Sequence, residues 1–223
     1  MILNPTLACA DLLRLADEID ILLAQGISML HLDIMDGHYV PNLCFSVDSV
    51  ATVAAYTSAV LDVHLMVDQP LPYIAPLAAA GANMVSVHLD APGLVQCLDS
   101  IRSAGMKAGL VLNPGDRPAE IPELLLSKAD FVQLMAVHPG KAGQPFLPQT
   151  LETLSALATY RKQSQLPFLI SIDGGIDAPS AIACCKRGAD ILVAGARCIF
   201  RQEKPLAEAL REFRRIVEGE YPL

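Results

Sequence analysis

The chain has 223 residues; 52% are hydrophobic, 18% are charged, and the formal net charge is −8. An acidic chain without basic clusters argues against nucleic acid or an anionic membrane as a partner, and no apolar run is long enough to cross a bilayer. Because the N-terminus lacks a basic-then-apolar segment and no linker divides the chain, we expect one cytoplasmic domain over residues 1–223. The six cysteines form no C-x-x-C pair, which predicts reduced thiols without disulfides.

Apolar strands alternate with amphipathic helices along the whole chain. The pattern predicts strands at residues 2–8, 28–35, 60–66, 84–88, 108–112, 131–137, 168–173 and 191–194. It predicts helices at residues 12–25, 46–56, 71–80, 93–104, 121–127, 147–163, 179–187 and 205–218. Glycines that end a helix directly before an apolar strand recur through the repeat, at Gly26, Gly81, Gly105 and Gly188.

Eight strand–helix units predict an α/β fold, a single closed (β/α)₈ TIM barrel. The alternative is a doubly wound open sheet, which usually carries G-x-G-x-x-G after its first strand. Here that segment reads Leu7-Ala8-Cys9-Ala10-Asp11, and the P-loop pattern is also absent. We therefore expect the closed barrel.

Ionisable residues occur on strands that are otherwise apolar. His31 and Asp33 share one face of the second predicted strand, and Asp62 and His64 share one face of the third. Asp173 ends the seventh strand. Active sites of such barrels lie at the carboxyl ends of the strands, so we expect two histidines and two carboxylates to converge there. This donor set is suitable for one divalent cation such as zinc, iron, manganese or cobalt.

Methionines and glycine-rich loops occur at the same predicted end of the barrel. Three strands close with a methionine, at Met35, Met66 and Met135, which indicates either core packing or an apolar collar around a small ligand. Asp173-Gly174-Gly175 and Ala194-Gly195-Ala196 follow the last two strands, where such barrels usually bind phosphate. Residues 138–144 follow the sixth strand and can form a flap over the ligand.

Six segments together resemble the ribulose-phosphate 3-epimerase family. They are Asn4-Pro5-Thr6-Leu7 and residues 31–42, 61–67, 109–114, 139–146 and 172–175, and the similarity extends from the first strand to about Phe200. The resemblance implies a ribulose-phosphate-binding barrel that forms homo-oligomers. It also implies an isomerase for a small sugar phosphate, interconverting D-ribulose 5-phosphate and D-xylulose 5-phosphate.

The resemblance further implies roles for individual residues. A divalent metal would be held by His31, Asp33, His64 and Asp173, and the two aspartates would also be the acid/base pair. The substrate would contact Thr6, His64, Met35, Met66, Met135, Gly140, Ala142, Gly143, Asp173, Gly174, Gly175, Gly195 and Ala196. No organic cofactor is implied.

The chain departs from the family pattern at three places, which leaves alternatives open. Thr6 replaces a serine; the flap has Lys141 where an aromatic is usual; and Ala196, followed by Arg197, replaces a serine beside the phosphate. D-allulose 6-phosphate, with one more carbon, is the alternative substrate, and a non-catalytic sugar-phosphate sensor is the alternative class. A related lyase or decarboxylase is disfavoured because residues 33–38 lack the lysine of a D-x-K-x-x-D pattern.

Overall fold

The computed structural model describes residues 1–201 and 203–220, so Gln202 and residues 221–223 of the expected domain lie outside the described residues. Eight strands are present: β1 (Ile2–Pro5), β2 (Met29–Met35), β3 (Val60–Met66), β4 (Met84–His88), β5 (Lys107–Leu112), β6 (Phe131–Met135), β7 (Leu169–Asp173) and β8 (Ile191–Ala194). The helices are α1 (Leu15–Ala24), α2 (Val47–Tyr56), α3 (Leu71–Ala79), α4 (Leu94–Ser103), α5 (Glu123–Lys128), α6 (Thr150–Ser164), α7 (Ala178–Cys185) and α8 (Leu206–Glu220).

The strands form one parallel sheet in the order β1-β8-β7-β6-β5-β4-β3-β2. A parallel bridge between Thr6 and His31 joins β1 to β2 and brings the two ends of the sheet together. The predicted (β/α)₈ barrel is therefore confirmed. No helix in the described parts of the chain is both long and apolar enough to cross a membrane.

Most differences from the predicted elements lie at element ends. The first strand ends at Pro5 and not at Ala8, because the Thr6 hydroxyl accepts a hydrogen bond from the backbone of Ala8 (3.3 Å) and starts a 3₁₀ turn over Leu7–Cys9. A second 3₁₀ turn, Leu12–Arg14, precedes α1 and is capped by Asp11. The sixth helix begins at Thr150, later than the predicted residue 147.

The interior of the barrel is apolar at one end and polar at the other. Where the strands begin, the interior is closed by an apolar cluster of Met29, Met84, Phe131 and Ile191. Gly109 lies directly beside it, and a Cβ there would come within 2.3 Å of Phe131 Cζ, so the ring occupies the space that this glycine leaves. Farther along the strands, inward-pointing side chains are polar, and they lead to the site described next.

Candidate active site

Four ionisable side chains meet at the carboxyl ends of three strands. His31 and Asp33 come from β2, His64 from β3 and Asp173 from β7, and one ligand atom of each lies within 4.8 Å of the others. The atoms that face one another are His31 Nε2, His64 Nδ1, Asp33 Oδ1 and Asp173 Oδ2, with nitrogen-to-oxygen distances from 3.3 to 3.7 Å. All four residues are buried, so the cluster is shielded from bulk water.

The hydrogen-bond pattern of His31 leaves one nitrogen available to a metal ion. Its Nδ1 lies 2.9 Å from Asp62 Oδ2, and since an ionised carboxylate only accepts, Nδ1 carries the proton. Its Nε2 is buried, has no hydrogen-bond partner among the described residues, and points at the centre of the cluster. This is the carboxylate–histidine arrangement that orients metal ligands, so the residues present fit a divalent cation.

The electrostatics of the cluster favour positive charge at its centre. Burial alone would lower the pKa of His31, but Asp33 and Asp62 raise it well above its ordinary value. Burial also opposes charge on His64, yet Asp173 and Asp33 raise its pKa. Burial would raise the pKa of Asp33, whereas the two histidines hold it well below its usual range. A bound cation would supply the positive charge that these protons otherwise provide.

A second set of buried residues holds the four in place. Asp62 accepts from His31 and also from Asn4 Nδ2, at 2.8 Å. The Nε2 atoms of His64 and His88 lie 2.9 Å apart, and the His88 ring stacks on His64. Burial, and then the neighbouring His64, lower the pKa of His88 to about 2, so His88 is neutral and can accept the Nε2 proton of His64. That tautomer leaves His64 Nδ1 without a proton and facing the cluster.

The two carboxylates each accept a hydrogen bond from a neutral side chain. Thr6 Oγ1 donates to Asp33 Oδ2 at 2.7 Å, and Gln133 Nε2 donates to Asp173 Oδ2 at 3.0 Å. The donors come from the turn after β1, which borders β2, and from β6, which borders β7, so each acid is held by the strand next to its own.

A cavity of about 130 Å³ opens above the cluster. Both aspartates line it, as do Thr6 and three methionines, Met35, Met66 and Met135. Around it lie the residues of three loops: Gly140, Lys141, Ala142, Gly143, Gly174, Gly175, Gly195, Ala196 and Arg197. His31 and His64 are fully buried beneath the aspartates and do not line the cavity.

The loop after β7 requires its two glycines. Gly174 has φ 110°, and a Cβ there would lie 2.4 Å from Val137 Cγ2. Gly175 has φ 66°, and a Cβ there would lie 2.4 Å from the backbone nitrogen of Phe146. The loop after β7 therefore packs against the Val137 side chain at Gly174 and directly against the backbone of the loop after β6 at Gly175, an approach that only glycine permits. The N–H groups of Gly174, Gly175 and Gly195 donate to no backbone acceptor in the described chain, so they are available to an anion, whereas the N–H of Ala196 faces the Cys9 sulfur.

Lys141 and Arg197 add side-chain charge to this otherwise backbone-lined rim. Both are exposed, and neither forms an ion pair with any residue that the structure describes. The flap segment itself is held by Gln144, whose Nε2 donates to the carbonyls of His138 and Lys141 at 2.6 and 2.8 Å.

The site contains residues that motif reasoning missed. Asn4, Gln133 and His88 support the four-residue cluster, and Asp62, which was expected only to share a strand face with His64, orients the ligand His31. A signal was available: Asn4, Asp62 and Gln133 each stand two residues before Thr6, His64 and Met135, and so share their inward face.

The chain is similar in sequence to one family of known proteins. A family model described as "Ribulose-phosphate 3 epimerase family" matches residues 2–200. The ribulose-phosphate 3-epimerase of Rhodobacter capsulatus is 40% identical over 193 residues, covering 86% of this chain and 83% of the relative. The ribulose-phosphate 3-epimerase of Bacillus subtilis is 36% identical, covering 91% and 94%. The cytoplasmic isoform of Oryza sativa subsp. japonica is 35% identical, covering 96% and 93%.

Solved structures support the fold alone. 3-Hexulose-6-phosphate synthase from Salmonella typhimurium superposes with a TM-score of 0.74 at 16% identity, covering 99% of this chain and 100% of that one. A mutant tryptophan synthase α-subunit from Pyrococcus furiosus has a TM-score of 0.67, also at 16% identity, covering 100% and 98%.

Proposed function

The chain belongs to the ribulose-phosphate 3-epimerase family, and we propose that it inverts C3 of D-ribulose 5-phosphate to give D-xylulose 5-phosphate with a divalent metal and two aspartates. The observation that carries this proposal is the cluster of His31, Asp33, His64 and Asp173, in which both carboxylates also line a cavity of about 130 Å³. The reaction makes the protein an isomerase of sugar-phosphate metabolism.

The proposed metal ligands are His31 Nε2, His64 Nδ1, Asp33 and Asp173. Two imidazoles and two carboxylates suit zinc, iron, manganese or cobalt. A divalent cation bound there supplies Lewis acidity, which stabilises the negative charge that develops on the substrate's C2 and C3 oxygens. Asp62 and His88 fix the two imidazole tautomers that this binding requires.

The acid/base roles fall to Asp33 and Asp173. The C3 proton of the substrate is acidified by the adjacent C2 carbonyl, so a carboxylate is a sufficient base. Inversion requires that one carboxylate remove the proton from one face and the other deliver a proton to the opposite face of the planar enediolate. Thr6 and Gln133 each donate a hydrogen bond to one of these two carboxylates.

The phosphate is proposed to lie against the glycine-rich rim. Backbone N–H groups of Gly174, Gly175 and Gly195 would donate to its oxygens beside Ala196, and Gly140, Ala142 and Gly143, which line the cavity, would contact it from the flap. Lys141 adds charge where the family has an aromatic side chain, and Arg197 adds charge next to Ala196, which replaces the family's serine. Met35, Met66 and Met135 form the apolar wall that excludes water from the sugar's reacting carbons.

The setting of the reaction is also part of the proposal. We expect a cytoplasmic homo-oligomer whose only small-molecule partner is the sugar phosphate, without nucleic acid or membrane. The cytoplasmic relative in Oryza sativa supports the location. Light scattering on the purified protein would measure the assembly.

Epimerisation in deuterated water tests the function. The purified protein is given D-ribulose 5-phosphate or D-allulose 6-phosphate, C3 deuteration and product are followed by NMR, and metal is assayed in the same sample. We expect rapid C3 exchange and conversion of the five-carbon substrate, loss of both on chelation, and recovery with one of the four metals. Faster turnover of the six-carbon substrate would favour allulose 6-phosphate, and binding without C3 exchange would indicate a sensor.

A further inference from the structure

Gln133 lies outside the residues implied by the family, yet it contacts two members of the cluster. It is fully buried in β6 and pairs in register with Ser171 of β7. Its Nε2 lies 3.0 Å from Asp173 Oδ2 and 3.2 Å from His64 Nδ1. A neutral amide therefore forms the floor of the cluster directly beneath the cavity.

The chemistry of Asp173 fixes which end of the amide faces the cluster. An ionised carboxylate has no proton to donate, so the group at 3.0 Å from it must be the amide NH₂. The amide oxygen then points away and is buried without a hydrogen-bond partner among the described residues. Because an unpaired buried oxygen is unfavourable, and an apolar side chain of this size would avoid it, the amide is best explained by what it does for Asp173.

The hydrogen bond to Asp173 falls on the oxygen that faces the histidines, whereas the hydrogen bond to Asp33 falls on the oxygen that faces away from them. Gln133 donates to Oδ2 of Asp173, which is also the oxygen nearest the two histidines. Asp173 Oδ1 makes no hydrogen bond to a described residue, and the side chain lines the cavity. Asp33 has the opposite arrangement, since Thr6 holds Oδ2 while Oδ1 faces the histidines.

We propose that Gln133 is a positioning residue that anchors Oδ2 of Asp173 on the metal side of the cluster and so keeps Oδ1 directed into the cavity for proton transfer at C3. The proposal rests on the function above for the proton transfer, but the anchoring of a metal-side oxygen is independent of turnover. Loss of an outer hydrogen bond to a metal ligand typically costs about 10- to 100-fold in metal affinity or activity.

The test compares two neighbouring buried substitutions. Gln133→Met keeps the volume and removes the amide, whereas Ser171→Ala alters the paired position on β7, whose hydroxyl has no partner among the described residues. For each variant we measure Mn²⁺ affinity by electron paramagnetic resonance, and kcat and KM for D-ribulose 5-phosphate. We expect Gln133→Met to lose about tenfold in kcat and in Mn²⁺ affinity with KM nearly unchanged, and Ser171→Ala to match the wild type.

Two results would overturn the proposal. One is a Gln133→Met protein that keeps both kcat and Mn²⁺ affinity within twofold of the wild type. The other is a Ser171→Ala protein with the same losses, because the effect would then belong to packing of the layer. If Gln133→Met does not fold, Gln133→Asn is measured in its place, because its side chain is one methylene shorter and moves the amide away from Asp173. If the wild type does not epimerise the sugar, the proposed function fails, and the Mn²⁺ titration alone decides the role of Gln133.

Discussion

The two ends of the barrel interior are built from the same strands but have opposite chemistry. Where the strands begin, the inward side chains are apolar: Met29, Met84, Phe131 and Ile191. Two residues farther along β2, β4 and β6 they are polar: His31, Ser86 and Gln133. On each of these strands, the inward-facing residue that packs the core and the next inward-facing residue, which belongs to the polar layer, are only two positions apart. The apolar end also keeps water from beneath the cluster, which strengthens every electrostatic interaction above it.

The largest expected effect is at the polar end. Asp33→Asn and Asp173→Asn each remove a proposed ligand charge and one member of the acid/base pair, so we expect activity to fall by at least roughly 10³-fold. The unfolding midpoint should fall less than after a large truncation at the apolar end, because the apolar packing is untouched. Steady-state kinetics and thermal unfolding measure the two. Near-normal turnover in either variant would contradict the two-carboxylate mechanism.

A substitution at the apolar end should produce the reverse result. Phe131→Ala removes a ring that is 1% exposed and opens a cavity beside Gly109, so we expect a loss of about 3–5 kcal/mol in the free energy of unfolding. Denaturant titration measures it. The kcat of the folded variant should remain within about twofold of the wild type, because the cavity lies below the reacting groups. A parallel fall in kcat would show that the two ends are not separable.

Asp62→Asn tests a residue of the polar layer that contacts a proposed metal ligand but is not itself a ligand. The change keeps the shape that accepts from Asn4 but removes the charge that holds the proton on His31 Nδ1. We expect a loss of about tenfold in metal affinity, measured by Mn²⁺ titration, with a smaller change in stability. Ser86→Ala, in the same layer and without a hydrogen-bond partner among the described residues, is the matched control and should bind as the wild type does.

The smallest effect is expected at the exposed rim. Lys141→Gln and Arg197→Gln each remove one exposed charge, so KM for the sugar phosphate should rise by no more than about fivefold at low salt, with kcat unchanged. Lys107→Gln removes an exposed charge at the opposite end of the barrel and should leave KM unaltered. Initial-rate kinetics at two ionic strengths measure all three. A KM that rises equally in Lys107→Gln would assign the effect to net charge.

The barrel could be predicted from the sequence because each unit carries its own local signals. Alternation of apolar runs and the helix-ending glycines located all eight units, and β3, β4 and β8 have the predicted bounds. The end of β1 could not be predicted, because the Thr6 hydroxyl diverts the backbone into a 3₁₀ turn. Hydropathy does not record that competition between a side chain and the sheet.

The site was predictable only in part for a different reason. Local motifs indicate the chemistry of four residues: His31, Asp33, His64 and Asp173. The contact from Gln133 to Asp173 spans 40 positions and depends on the register of β6 against β7, which no local pattern specifies. The pairing of His64 with His88 likewise depends on two neighbouring strands being aligned.

The apolar cluster where the strands begin determines from which side substrate and product reach the cavity. With Phe131 and its neighbours filling that end, the cavity of the described residues opens at the carboxyl ends of the strands, beside the flap and the loops after β7 and β8. The incoming sugar and the finished epimer must use the same passage and cannot occupy it together. Each epimer therefore competes with the other for the same cavity, so an excess of either one slows the conversion of its counterpart.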